Sequence, residues 1–543
     1  MNYLNIMSLR FDSYRAPVYG KRGIVASSQP LASEAGMRIL QQGGNAADAA
    51  VATAAALNVT EPCSTGIGGD CFCLFFDNKT KTVSGLNASG RSPADLNLEF
   101  LSEQGITESL PSLSVHTITV PGAAAGWTDT IEKFGTLELK TILAPAIELA
   151  EEGFPVAPFT ARAWNRSTRI LKMGPFAEEM LLNGEAPKEG ELMKNPTLAQ
   201  TFKELAEHGK AGFYEGRIAE AIIELIQSKE GTMSLEDLKN HHSTFDEPIS
   251  TNYRGVEVYE IPPNGQGITA LIALNILEEF DIGKMEHSSI EHLHVMIEAM
   301  RIAFADTRWY VADPAIVNIP IKELISKQYA AKRRELIDLK KATIDVQRGS
   351  PTTSSDTVYF SVADGEGNAC SFINSNYMGF GTGLIPKGCG FTLQNRGANF
   401  SLDENHPNAL GPKKRPYHTI IPGMATKNDE LYASFGVMGG FNQPQGHAQV
   451  ICNMVDFEMN PQEALNAPRF TIRDGTSGGR VALEEGISTA TMSTLSNMGH
   501  EIIPTSGVSR MIFGRGQIIT RNPKNGVLCG GSSPRADGLA IGW

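Results

Sequence analysis

The sequence predicts a fold that combines α-helices with a substantial β core, and three observations carry that expectation. Apolar residues recur at helical spacing through most of residues 120–330, whereas short β-branched and aromatic runs dominate from Thr357 onward. Around them 54 glycines and 29 prolines are spread along 543 residues. That is about a tenth of the chain as glycine, against an average of roughly 7%. No low-complexity tract gathers it, which points to tight turns and close backbone approach.

Taken in order, Leu31–Gln42 carries apolar residues at helical spacing and stops at Gly43-Gly44. Asn45 then caps an alanine-rich second helix that ends near Pro62. "STGIGGD" (Ser64–Asp70) leads into the apolar strand "CFCLFFD", in which Cys71 and Cys73 read as small core residues. Its glycines lack the GxGxxG order and precede a strand, which argues against a dinucleotide site. "LKTILAPAIELAEEG", "IAEAIIELIQS" and "ITALIALNILEEF" read as helices, and 290–311 as a long amphipathic one. His292, His294 and Glu298 lie on that helix, but no third metal ligand is evident, so they read as satisfied structural residues. Lys332-Arg333-Arg334 reads as a solvated helix face. Residues 343–356 are polar and loop-like; "TVYFSVAD", a Gly365–Asn368 turn and "ACSFINS" then make a hairpin. "ELYASFGVMGG" and "QIITRN" continue the strands, and the class is mixed α and β.

Composition narrows the function. Hydrophobic residues make up 41% and charged residues 20%, which is globular, and length alone suggests three or four domains. The formal charge of −13 argues against a nucleic-acid or anionic-membrane surface. Arg10, Asp12 and Arg15 interrupt any signal-like run, and no stretch approaches the ~18 apolar residues of a spanning helix, so a cytoplasmic location is expected. Seven scattered cysteines, with no CxxC, fit neither a disulfide framework nor a zinc site. No metal or other cofactor is expected. GxSxG, Walker A, HExxH and a persuasive SxxK are all missing.

What remains is a polar loop ending at Asp356 and a strand that begins with Thr357. There the sequence resembles the γ-glutamyltranspeptidases of the N-terminal-nucleophile (Ntn) hydrolase superfamily, over almost the whole chain. The matching segments are Ser27–Ala52, "GIGGD" (Gly66–Asp70), "ASGRSP" (Ala88–Pro93), "DTVYFSVADGEGN" (Asp356–Asn368), "GFGTGL" (Gly379–Leu384), "GPKKRPYHTIIP" (Gly411–Pro422) and "GVMGGFNQPQGH" (Gly436–His447). The resemblance implies an α+β, four-layer αββα sandwich made as a precursor and cut between Asp356 and Thr357. Residues 1–356 would form the large subunit and 357–543 the small one, associated as one domain. The partners implied are the two fragments themselves and a small-molecule amide substrate, without nucleic acid or membrane. The local chemistry is consistent. A threonine hydroxyl needs an adjacent base. The α-amine freed at Thr357, with pKa ~7.8, is roughly one-seventh neutral at about pH 7.

Other roles follow from the resemblance position by position. Ser375 would orient Thr357, and the Gly439 and Gly440 N–H groups would hold the oxyanion. Arg91 would clamp a substrate carboxylate through its planar fork. Thr419 would assist the clamp, while His418 beside it departs from the family's small hydroxyl residue. Asn399 stands where transpeptidases place an acidic residue for the α-amino group, Tyr377 replaces an Asn, and Arg396 replaces a Gln or Glu. If these side chains face the pocket, a unit charge ~5 Å away is worth about 3 kcal/mol at an effective dielectric of about 20, which disfavours an ammonium-bearing donor. "FSLDENHPNALGPKKRP" is also shorter than the lid loop of many transpeptidases. These traits resemble the branch with cephalosporin (glutaryl) acylases and oxamate amidohydrolase. Glutathione hydrolysis or γ-glutamyl transfer is the family default. Hydrolysis of oxamate or glutaryl amides, or an inactive relative that binds small acids, are the alternatives.

Overall fold

Tyr359, Ala363 and Ile373 turn to one face of the hairpin Val358–Asp364/Ala369–Ser375, while Val358, Phe360, Val362 and Phe372 turn to the other. The two strands pair antiparallel with Phe360 opposite Phe372, and every residue of both is buried. A hairpin buried on both faces must be covered twice, and the rest of the fold supplies the covers. The computed structural model describes residues 15–344 and 357–543. Asp356 and residues 345–355 of the polar stretch lie outside the described residues.

The hairpin is the centre of a six-stranded sheet in the order Leu539–Gly542, Gly23–Ser27, Val358–Asp364, Ala369–Ser375, Asp70–Asp77, Thr82–Ala88. A seven-stranded sheet runs Val18–Gly20, Leu528–Ser532, Gly516–Arg521, Glu430–Val437, Gly423–Lys427, Val256–Glu260, Ile249–Tyr253. Neighbours in both sheets are antiparallel. Phe72, Leu74, Phe76, Tyr359 and Ile373 of the first sheet share a core with Met424, Leu431, Ile519 and Leu528 of the second. The alternate residues Cys71, Cys73 and Phe75 pack with the helices Pro30–Gln41 and Ala46–Thr60. Ala433, Phe435 and Val437 pack with the helices Gly267–Glu278, Ile290–Tyr310 and Asn442–Val455.

The early helices form where their caps place them. Asn45 accepts from the Ala47 and Asp48 N–H groups while Asp48 accepts from Asn45 N–H, a reciprocal box that starts Ala46–Thr60. The reading of residues 120–330 as mostly helical missed one hairpin, Ile249–Tyr253/Val256–Glu260, at the edge of the seven-stranded sheet. The helix Lys327–Arg334 exposes Lys332 and Arg334 as expected, but Arg333 turns inward to Asp306 at 2.7 Å. Among the described residues no helix is long and apolar enough to cross a membrane.

Candidate active site

Thr357 immediately precedes the strand Val358–Asp364 and is fully buried. Its Oγ1 lies 3.1 Å from Ser375 Oγ, at the far end of the partner strand. Ser375 Oγ also accepts from Tyr377 N–H at 2.9 Å and from Arg396 Nη2 at 3.2 Å. With both of these groups donating to it, the Ser375 hydroxyl is held in place beside the nucleophile from two directions. Arg396 is itself buried; its Nη1 donates to Thr419 Oγ1 at 2.7 Å, and its guanidinium sits 4.5 Å from the centroid of the Tyr377 ring. Burial pushes Arg396 down to about 10, with Asp70 and Tyr377 opposing, so it is still a cation at neutral pH. Tyr377 adopts φ 77°, a left-handed backbone that a bulky residue rarely takes. Strain at such a position costs of order 1–3 kcal/mol, and here it brings the Tyr377 amide and ring onto Ser375 and Arg396.

Behind this group stands Asp70, the last residue of "GIGGD", paired with Ser375 across neighbouring strands. Asp70 is fully buried and accepts from Gly90 N–H at 2.9 Å, Gly122 N–H at 3.2 Å, Gln394 Nε2 at 2.9 Å and His418 Nε2 at 3.0 Å. Burial alone would raise its pKa, but His418, Arg396 and Gln394 together hold it below the usual carboxylate value. His418 is pushed down to about 3 by burial and by Arg396 and Arg415, against the pull of Asp70. It is therefore neutral, with Nε2–H donating to the carboxylate and its ring 4.6 Å from that of Phe72. This gives His418, whose departure from the family pattern left it without a role in the sequence, a place as a brace for Asp70. A side chain at Gly90 is impossible, since a Cβ there would lie 1.7 Å from Val120 O.

Gly439 (φ 129°) and Gly440 (φ 57°) form the turn between the strand Glu430–Val437 and the helix Asn442–Val455, a backbone path that favours glycine. Neither glycine N–H has a hydrogen-bond partner among the described residues. Gln266 Nε2 ties the turn to the cluster above, donating to Gly440 O at 2.9 Å and to Thr419 O. Thr357, Ser375, Tyr377, Arg396, Thr419 and Gly440 are thus joined in one hydrogen-bonded network.

Arg91 and Asn399 are not drawn into it by any contact among the described residues. Arg91 is partly buried, with Nη1 only 3.4 Å from His242 O, and lies in the field of Arg415, Asp313 and Asp246. Its backbone is nonetheless fixed near Asp70, through Gly90 and through Val120 N–H bonded to Arg91 O at 2.9 Å. Asn399 ends the short helix Arg396–Asn399, its Nδ2 buried without a partner among the described residues. Arg396 spends its two Nη groups on Ser375 and Thr419, while its Nε is buried without a partner among the described residues.

The sequence missed Asp70, Gln266 and Arg515, the last of which donates to Thr357 O at 3.2 Å. Only the "GIGGD" ending signalled Asp70: an acid placed directly before the apolar run Cys71–Phe76. A third residue of metal-ligating type does stand beside His294 and Glu298: His500, with one candidate atom of each within 4.8 Å and all three residues buried. His294 Nδ1 is 2.9 Å from His500 Nε2, its Nε2 donates to Asp338 O at 2.8 Å, and Arg301 lies against Glu298. His294 is satisfied as expected. His292 is not, since its Nε2 is buried without a partner among the described residues.

Comparison with known proteins identifies the family. The family model described as Gamma-glutamyltranspeptidase matches residues 32–543. The chain is 38% identical over 531 residues to the glutathione hydrolase-like YwrD proenzyme of Bacillus subtilis (strain 168), covering 97% of this chain and 99% of that one. It is 31% identical over 530 residues to the oxamate amidohydrolase proenzyme of Klebsiella pneumoniae, covering 96% and 98%. Among solved structures, the cephalosporin acylase from Bacillus halodurans superposes with a TM-score of 0.92 at 44% identity, covering 99% of this chain and 98% of that one. With the family model spanning all but the first 31 residues, the chain belongs to the gamma-glutamyltranspeptidase family.

Proposed function

We propose that this protein is a self-processing threonine amidohydrolase acting on small acidic amides through an acyl-Thr357 ester. The observation that carries the reading is the placement of the Thr357 hydroxyl: at the head of a central strand, 3.1 Å from Ser375, in a network that reaches the glycine turn through Arg396, Thr419 and Gln266. Cleavage after Asp356 divides the chain into 356- and 187-residue pieces of one domain, a four-layer αββα sandwich. The new α-amine of Thr357 takes the Oγ1 proton, Oγ1 attacks the amide carbonyl, and the Gly439 and Gly440 N–H groups receive the oxyanion. The amine product leaves with that proton, and water, activated by the same amine, hydrolyses the ester.

The substrate class follows from Arg396. A buried cation bonded to the residue beside the nucleophile disfavours an ammonium on the acyl group, and Asn399 supplies no charge to hold one. Oxamate and glutaryl amides carry the carboxylate that Arg91 would clamp but no α-amine. The γ-glutamyl donor is the second reading, favoured by the family match and by the YwrD-like relative.

The test has two parts. On a denaturing gel the purified protein shows two bands, and Thr357→Ala shows one full-length band; a full-length wild-type band that stays intact sinks the processing step. A side-by-side assay on oxamate, glutaryl p-nitroanilide, γ-glutamyl p-nitroanilide and glutathione then ranks donors. Preference for the two γ-glutamyl compounds would overturn the acidic-amide assignment.

A further inference from the structure

The reaction scheme above makes no use of the residue that holds the nucleophile's own carbonyl. Arg515 Nη2 donates to Thr357 O at 3.2 Å and to Ser64 Oγ at 3.1 Å; Nη1 pairs with Glu61, and Nε approaches Met438 Sδ at 3.4 Å. Arg515 is 6% exposed and Glu61 is fully buried, with its second oxygen taken by Ser28 Oγ at 2.5 Å. Burying such a pair is costly and gives little net stability by itself, so its geometric effect is the better guide to its role.

That geometry spans the molecule. Glu61 caps the end of the helix Ala46–Thr60 on the outer side of the six-stranded sheet, and Ser28 directly follows the strand Gly23–Ser27. Arg515 directly precedes the strand Gly516–Arg521 of the other sheet. Its backbone carbonyl accepts from Met438 N–H at 3.2 Å, and Met438 is the residue before Gly439. One residue thus grips Thr357 with its side chain and the glycine turn with its main chain. A planar guanidinium fixed on a carboxylate holds such a spacing more rigidly than a flexible ammonium.

Resting on the acyl-Thr357 reading, we propose that Arg515, locked by Glu61, is a positioning residue that sets the nucleophile against the Gly439–Gly440 amides. Its charge lies against the carbonyl of the same residue whose nitrogen cleavage frees as an α-amine. The charged groups linked to Thr357 are Arg515 with Glu61 through its carbonyl, and Arg396 with Asp70 through Ser375, His418 being neutral. A nearby cation favours the neutral amine. Removing it moves the acid limb of the pH–rate profile to higher pH, and removing Glu61 moves it to lower pH.

The experiment compares processed wild type, Arg515→Gln, Arg515→Lys and Glu61→Gln on whichever of glutaryl or γ-glutamyl p-nitroanilide the wild type turns over faster. Arg515→Gln is expected to lose about 100-fold in kcat with KM within about threefold, since small misplacements of reacting groups carry that cost. Arg515→Lys should recover about tenfold of it, and the acid limbs of Arg515→Gln and Glu61→Gln should move in opposite directions. Circular dichroism checks folding; if Arg515→Gln does not fold, Arg515→Lys and Glu61→Gln are read alone. Wild-type kcat with an unmoved acid limb in the folded variants overturns the proposal. If the wild type neither cleaves itself nor turns over either anilide, the acyl-threonine reading fails first and the positioning role falls with it.

Discussion

Asp70 accepts hydrogen bonds from four groups on four separate stretches of chain: Gly90, Gly122, Gln394 and His418. An Asn there cannot accept with both terminal atoms, so at least one buried donor loses its partner and Arg396 loses a counter-charge. Asp70→Asn is expected to lower stability by about 2–4 kcal/mol, measured by denaturant unfolding of the unprocessed Thr357→Ala background; an unchanged midpoint would contradict the hub. Histidines give a second residue-scale expectation. Burial pushes His241, His292, His418 and His500 each down to about 3, so the unfolded chain binds protons from about pH 6.5 downward that the folded chain refuses. Their stabilising contribution is complete above pH 6.5 and is lost as pH falls toward 3. Asp70, with its pKa lowered, loses its own contribution only below the ordinary carboxylate value. His292 packs against His287 and Phe457, outside the network around Thr357, which makes it the clean probe. His292→Gln should lessen the stability lost between pH 7 and pH 5 by about 2 kcal/mol, and unfolding curves at the two pH values that shift equally in both proteins would refute it.

Elements divide into those whose pattern is local and those whose pattern is not. The helix Ala46–Thr60 was legible because Asn45 and Asp48 write its start within four residues, and the nucleophile hairpin because both arms are β-rich around a glycine turn. Asn45→Ala removes the capping box and the Nδ2 bond to Phe134 O at 2.6 Å, and is expected to lower the thermal midpoint by the equivalent of about 1–2 kcal/mol. A midpoint unchanged within error would show that tertiary packing alone sets that helix end. The hairpin Ile249–Glu260 was overlooked because it is short and flanked by strong helical periodicity. Its signal was present: Val256 and Val258 alternate with Glu257 and Tyr259, after a turn in which Arg254 (φ 52°) and Gly255 (φ 85°) both take left-handed backbone. Within the site, motif order was enough to name Thr357, Ser375, the glycine pair and Arg396 as candidates. The Asp70 hub and the Glu61–Arg515 pair could not, because a buried charge is recognised by partners that only folding supplies, and those of Arg515 lie 454 and 158 positions away.

At the scale of the whole molecule, strand order decides what a cut before Thr357 does. In the six-stranded sheet, Leu539–Gly542 pairs with Gly23–Ser27, which pairs with Val358–Asp364, and Ala369–Ser375 pairs with Asp70–Asp77. In the seven-stranded sheet, Leu528–Ser532 pairs with Val18–Gly20 and Gly423–Lys427 with Val256–Glu260. Five strand pairings thus cross the division between residues before and after position 356, and neither fragment keeps a complete sheet of its own. Separating the pieces would expose unpaired edges and the core between the sheets at once, a cost comparable to unfolding. Salt has little purchase on such an interface, because burial screens its interactions from the solvent ions that weaken surface charges. After processing, the two fragments are therefore expected to co-elute as one heterodimer in size-exclusion chromatography at 1 M NaCl. They should part only through a denaturant transition that coincides with loss of circular dichroism. Elution of a folded fragment on its own below that transition would show that the interleaved sheets do not hold the halves together.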